Sequence, residues 1–534
     1  MKLPDLSESA SPEFSDAPTA KAWLEHVPLA NVAAAQAELF SQLEEFNRFP
    51  VASSQRLAVL ETLREAVHFV QLEQAKRSAN RALPMSDTEA AAFDITMKLW
   101  DQMALGYQRC LEGALNRDSG MRAQAGLVCQ RLLAYVGLKM YHHYRAYRQV
   151  PAQNWRALHE AYAAAEKLDV ADDTVKDFMN RDIHETSPRI AYARAVLMGT
   201  ANANELAQRQ ITFTAYLLER WASKLEISDK PVDEGEGLAP LVADLEGESC
   251  PDRREGEAKD PRYLDTRKLA KSLRNRVALL RKGESPAKLA LGEDCVQPSC
   301  EQLLVYLYRQ WCIGKPSRAS ERRASGAAAE VTTEFQGIHY YISGRVFKPP
   351  TQQTELTQKQ REEIATFGRV STREAEDYSQ AQGFFVEQWQ MHDESAQGMR
   401  LLRLAQEKGK RLAHGQLIGI RPTNGSQFML GQVRWLMGAQ NGDLHAGVKL
   451  MPGLPNAIAV RPTGLNVKDD SWIPALALGA VPALDSPPSL VLPPGWYKPK
   501  RVIEFFMEAS SKAMLTQVID RGADFERLAY ERVP

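Results

Sequence analysis

Phe384-Phe385-Val386-Glu387-Gln388-Trp389 runs, through Gln390-Met391-His392, into Asp393-Glu394-Ser395-Ala396-Gln397-Gly398, a D-x-S-x-x-G pattern. The apolar run reads as a strand and the polar segment as a glycine turn. Beyond it, Met399-Arg400-Leu401-Leu402-Arg403-Leu404 reads as a second strand, followed by a charged turn at Glu407-Lys408-Gly409-Lys410. Gly415 to Ile420, Phe428 to Leu436 and Leu444 to Leu450 continue the series, separated by Asn424-Gly425 and Asn441-Gly442. Short apolar runs split by Asn-Gly turns are the signature of antiparallel hairpins. Their close spacing predicts a small barrel or sandwich. Trp389 and Trp435 are expected in its core.

About twenty residues earlier stands Arg369-Val370-Ser371-Thr372-Arg373, an R-x-x-x-R. Each guanidinium is a flat fork of donors that fits phosphate oxygens or the O6/N7 edge of guanine. The Asp393 carboxylate and Ser395 hydroxyl can meet the rest of a guanine's polar edge. Gly398 lets the backbone turn, or lets a ligand come close. The two motifs together suit a phosphate-bearing purine.

Their pairing and order resemble the PilZ domain, a bacterial receptor domain for cyclic di-GMP, over about residues 335–465. The later pattern G-x-V-x-W … A-G-V-x-L, at Gly431 to Leu450, is similar to the closing strands of that barrel. The resemblance implies cyclic di-GMP as a bound ligand rather than a catalytic cofactor. Arg369 and Arg373 would clamp guanine edges and phosphates, Asp393 and Ser395 would hold a guanine, and Gly398 would shape the turn. One departure concerns the arginines. In the family, R-x-x-x-R lies just before the first barrel strand. Here Glu374, Glu376 and Asp377 follow it directly and compete for the guanidiniums.

The rest of the chain is bounded by its composition. Its 534 residues suffice for about three domains. A net charge of −1 excludes a general nucleic-acid binder, which needs a strongly basic face. The N-terminus lacks an apolar signal core, and no apolar run has the length of a membrane span, so a cytoplasmic protein is expected. The six cysteines are expected as free thiols, since Cys295-x4-Cys300 with Cys312 does not match zinc spacings. His142-His143 is a poor chelate, because neighbours on a helix point about 100° apart. No P-loop, nucleophile elbow or metal-ligand cluster indicates an enzyme.

The fold class expected is multidomain α + β. Residues 1–18 read as a disordered start and 19–225 as an all-α bundle or degenerate solenoid. Residues 226–262 read as an acidic flexible insertion, 263–314 as further helices and 315–331 as a linker. A PilZ-like antiparallel β-barrel is expected over 332–465. A β-rich extension or second small barrel is expected over 466–534. The function this implies is a bacterial second-messenger receptor whose helical region relays to a protein partner. The alternative is a protein–protein scaffold whose barrel no longer binds nucleotide.

Overall fold

A computed structural model describes residues 3–79, 81–116, 118–232, 240–253, 258–313, 323–352, 358, 362, 383–395, 397–464 and 471–533. The chain divides into two compact units. One is Met1–Arg81 with Met85–Arg318; the other is Ala82–Pro84 with Ala319–Pro534.

The first unit is helical. Its helices are α1 (Ala17–Leu24), α2 (Val32–Arg48), α3 (Ser53–Ala75), α4 (Asp87–Leu115), α5 (Ser119–Arg122), α6 (Ala125–Arg145), α7 (Ala152–Lys167), α8 (Pro188–Thr200), α9 (Gln208–Trp221), α10 (Arg267–Arg281) and α11 (Ser299–Tyr308). Several starts are written locally. Asp16 and Thr19 form a capping box on α1, and Ser86 and Glu89 form one on α4. Ser187 caps α8, with Pro188 in the first turn. Helix α6 packs against α4, α7 and α8 and buries residues on every face. It also carries charge inward. Arg131 bonds Glu61 of α3 at 3.0 Å, and Asp177 accepts from Arg64 at 2.9 Å. These buried pairs hold the small hairpin of β1 (Val175–Lys176) and β2 (Glu185–Thr186) against the helices. A three-stranded sheet of β3 (Glu226–Ser228), β4 (Leu241–Asp244) and β5 (Pro261–Asp265), in the order β3-β5-β4, closes the unit.

Three sequence expectations change here. Within the expected disordered start, the described residues 3–18 are packed: Phe14 is buried between Trp23 and Phe46, with ring centroids 5.1 and 5.3 Å away. One aromatic residue anchors a segment whose Pro/Ser content suggested disorder. The acidic insertion contributes β3, β4 and β5 to a sheet, because Leu241, Ala243 and Leu264 supply a buried apolar face. Cys295 and Cys300 form a disulfide rather than remaining free thiols. The described residues contain no helix long and apolar enough to cross a membrane, and no cluster suited to a metal ion.

The second unit holds two β-barrels in tandem. Its first strands are β6 (Arg323–Ala324), β7 (Ala328–Thr332), β8 (Val386–Ser395), β9 (Gly398–Arg403), β10 (Leu417–Pro422), β11 (Met429–Gly438) and β12 (Leu444–Leu450). Strands β7-β8-β9-β12-β11-β10 pair in a ring, since β10 pairs with β7. Strand β6 adds to the end of β8. The next six are β13 (Pro455–Pro462), β14 (Ile473–Leu478), β15 (Ser489–Leu492), β16 (Val502–Phe506), β17 (Ser510–Arg521) and β18 (Glu526–Val533). They close a barrel in the order β13-β14-β15-β18-β17-β16. Counted from its own first strand, each ring runs first, second, third, sixth, fifth, fourth. Both barrels therefore share one topology.

The boundaries shift accordingly. The first barrel begins at β7, inside the expected linker, and the last segment is a complete barrel that begins at Pro455. Ile338 to Ser343, which lies inside the span expected as β-barrel, belongs to helix α12 (Phe335–Ser343). Its aromatic and β-branched content favours a strand, but Phe335, Ile338 and Ile342 also share one helical face. That face packs on Leu417 and Leu430 of the first barrel and Leu476 and Val491 of the second. Tertiary burial overrides the local preference.

Candidate functional site

Strands β8, β9, β12 and β11 lie side by side in the first barrel, and their register decides which side chains face solvent. Met391 pairs with Leu401, Leu401 with Ala446, and Ala446 with Leu436. All four are buried and form part of the inner face. Directly paired residues point to the same side of a sheet. A regular ladder would therefore set His392 opposite Arg400 and turn Asp393 into the barrel. A bulge at His392 prevents this, and Asp393 pairs with Arg400 instead. A second bulge, at Arg434 in β11, lets Trp435 pair with Gly447. Bulges re-aim side chains in this way, often beside binding sites.

The result is one outward row across four strands: Asp393, Arg400, Gly447 and Trp435. Beside it runs a second row of Ser395, Gly398, Lys449 and Gln432. The Arg400 guanidinium carbon lies 6.0 Å from the centre of the Trp435 ring, a cation–π contact. Arg400 Nε is shielded from solvent and has no hydrogen-bond partner, and neither has His445 Nδ1. Burial, Arg400 and His392 hold the His445 imidazole below its ordinary pKa. Ser395 Oγ donates to the Gly398 carbonyl at 3.2 Å and ties the turn. Lys449 Nζ stands 3.5 Å from Asp520 of the second barrel.

Asp393, Ser395 and Gly398 are thus brought together at one end of the outer face. Gly398 does so by a different route from the one expected. Its φ is not in the left-handed region; instead, a Cβ there would stand 2.5 Å from the Val448 carbonyl oxygen. Glycine is required because β9 and β12 approach closely. Arg369 and Arg373, with Glu374, Glu376 and Asp377, lie outside the described residues.

Trp389 is core, as expected, but Trp435 is only half-buried and belongs to the outer row. At the opposite end of the barrel, Trp389 Nε1 donates to Glu387 at 3.0 Å. Glu387 also accepts from Arg403 at 2.8 Å, and both charged groups are buried. That pair plugs the barrel.

Arg400 and Trp435 were not singled out as site residues by sequence reasoning. A glycine positioned to pair with a tryptophan was the available signal. A second R-x-x-x-R was also passed over: Arg318-Ala319-Ser320-Glu321-Arg322. It directly precedes β6, whose Arg323 pairs with Glu394 and whose Ala324 pairs with Asp393. Arg318 and Arg322 lie outside the described residues; Arg323 is exposed.

The described residues therefore offer cations, an aromatic face and a carboxylate on one shelf, a set suited to an anionic ligand with a flat polar base. Comparison with known proteins adds the following. Residues 18–232 match the family model for the N-terminal domain of the cyclic-di-GMP receptor FimW. Residues 458–533 match the FimW C-terminal β-barrel domain, in agreement with the second barrel. The chain is similar to the cyclic-di-GMP receptor FimW of Pseudomonas aeruginosa, at 24% identity over 89% of this chain and 83% of that one.

Proposed function

We propose that this chain is a non-enzymatic cytoplasmic receptor for cyclic di-GMP, and that the ligand rests on the outer face of the first barrel. The observation that carries this reading is the double bulge, which turns Asp393 and Trp435 to the same face as Arg400. Trp435 would stack on a guanine and Arg400 would meet its edge or a phosphate. Asp393 and Ser395 would accept from and orient the base, with Gly398 keeping the turn low. The similarity to the cyclic-di-GMP receptor FimW of Pseudomonas aeruginosa supports the same ligand. Relay to a protein partner through the helical unit is part of the proposal.

The clamping arginines come from one of two segments. Arg369 and Arg373 are one candidate pair. Arg318 and Arg322 are the other, favoured by their place directly before a strand that pairs with Asp393. Calorimetric titration of the full chain with cyclic di-GMP, GMP and GTP tests the receptor. Cyclic di-GMP should bind in preference. Arg318→Ala/Arg322→Ala and Arg369→Ala/Arg373→Ala then separate the segments. The clamping pair should lose at least about tenfold, as one charged hydrogen bond contributes about 1.5–3 kcal/mol.

A second reading, a scaffold whose barrel does not bind nucleotide, is favoured by one observation. Residues 233–457, which include the first barrel, fall outside both matched spans. Absence of binding at about 100 μM ligand, roughly −5.5 kcal/mol, would select it.

A further inference from the structure

The helical unit has a cavity of its own, about 350 Å³, lined by Lys76, Arg145, Gln208, Arg209, Phe213 and Asp294. That volume is in the range of small-molecule sites. It collects three cationic side chains from three elements: the residue after α3, the end of α6 and the start of α9.

Only one of the three cations, Lys76, has a carboxylate partner among the described residues. Lys76 has Glu73 at 2.6 Å on the same surface, and Asp294 is 3.8 Å from Arg181, a different arginine. Among the described residues, no carboxylate pairs with Arg145 or Arg209. The Arg145 guanidinium carbon lies 5.6 Å from the centre of the Tyr141 ring, while its Nε is shielded and without a hydrogen-bond partner. Gln208 Nε2 donates to the Arg145 carbonyl and pins the start of α9 to the end of α6. Ala207, the residue before α9, has no side-chain acceptor for the first amides of that helix. The first turn of α9, through Gln208 and Arg209, lines the same space as Arg145, and the positive end of the helix adds to the field there. Phe213 supplies an apolar wall.

We propose that this cavity binds a small phosphate ester, with Arg145 and Arg209 as forks on the phosphate and Lys76 as a further charge. Planar guanidiniums match phosphate oxygens in pairs, and the cavity is closer to a nucleotide in size than to a protein segment. The site is independent of the barrel shelf: it shares no residue with it and lies in the other unit.

Titration of the full chain with inorganic pyrophosphate and with ATP, and with adenosine as the uncharged control, tests it. Pyrophosphate or ATP should bind saturably below about 1 mM, and adenosine should not. Arg209→Ala should weaken binding at least about tenfold. Arg209 is exposed, so its loss should leave the melting temperature unchanged. Arg145→Ala should act in the same direction. Asp393→Ala, in the barrel, should leave this binding as it is. No saturable binding, equal affinity in Arg209→Ala, or loss of binding in Asp393→Ala would each overturn the proposal. The last would assign the phosphate to the barrel shelf.

Discussion

The five-membered ring of Trp435 occupies the space that a side chain at Gly447 would fill. The two residues pair across β11 and β12, so the glycine opens a bed in the outer face of the barrel and the indole lies in it. Arg400, paired with Gly447 on the other side, completes a shelf. Gly447→Val should lift the ring out. A β-branched residue suits a strand, but this one has no room, and overpacking costs about 1–3 kcal/mol. The expected outcome is a lower melting temperature and at least a tenfold loss of cyclic di-GMP affinity, roughly 1.4 kcal/mol. Trp435→Phe, which keeps an aromatic face, should lose less. Unchanged affinity in Gly447→Val would remove Trp435 from the site.

Asp393 separates binding from folding. The bulge at His392 turns it outward, half-buried at the end of β8. Asp393→Ala should therefore reduce affinity at least about tenfold, with a change in stability under about 1 kcal/mol. Calorimetry and thermal unfolding of the same sample give both numbers. A fall in melting temperature with affinity retained would mean that Asp393 serves the strand end alone.

Much of this barrel was legible in the sequence because its turns are explicit. Asn424-Gly425 and Asn441-Gly442 mark hairpins, and the apolar runs between them became β10, β11 and β12. The motif at Asp393 to Gly398 also fell where a turn between strands was expected. The bulges were not legible. Each adds one residue to one strand, and only the partner's register reveals which face follows. Trp435 was consequently assigned to the core, one pleat away from its actual side. The start of the barrel was missed for a related reason. Ala327-Ala328-Ala329 looks like a linker, yet Ala329 is fully buried and pairs with Trp389 in the barrel wall. Helix α12 shows the opposite failure, since its composition favours a strand while its apolar spacing serves a buried face.

Removing one partner of the ion pair at the closed end of the barrel should destabilise the fold strongly, because the other charge is left stranded in the interior. Glu387 and Arg403 have side-chain exposures of 7% and 3%. Arg403 also donates to the Lys410 carbonyl at 2.8 Å and lies 5.1 Å from the Trp389 ring centre. Arg403→Met would leave the Glu387 carboxylate buried without its cation, which costs about 3–5 kcal/mol. Adding Glu387→Gln should recover part of that loss, since an amide needs no counter-charge. Calorimetric unfolding of the two variants measures both steps. A loss below about 1 kcal/mol in Arg403→Met would show that water reaches the pair.

The helical unit should weaken in mild acid. His142 and His143 stand next to each other on α6, at 3% and 6% exposure, and each is brought down to a pKa of about 3. Burial is the first cause for both. Arg145 and His68 add repulsion at His142, and Lys139 and Arg148 at His143. In the unfolded chain both imidazoles bind protons near pH 6.5. Between that pH and about 3 the unfolded state holds protons that the folded state does not. Stability is therefore fully present above about pH 6.5 and falls as the pH drops, by about 1.4 kcal/mol per pH unit for each imidazole. Glu61 and Asp177 are also held below their ordinary pKa, but their loss begins only near the lower carboxylate range, so the window from about pH 6 to 5 belongs to the histidines. His142→Phe keeps the stacking on Trp100, whose ring centre is 5.8 Å away, and removes one titrating group. Its stability relative to the parent should rise by about 1.4 kcal/mol for each pH unit below about 6. Calorimetric scans of both proteins at a series of pH values give that difference directly. A difference that stays constant with pH would show that His142 is protonated in the folded protein, and that its surroundings admit water.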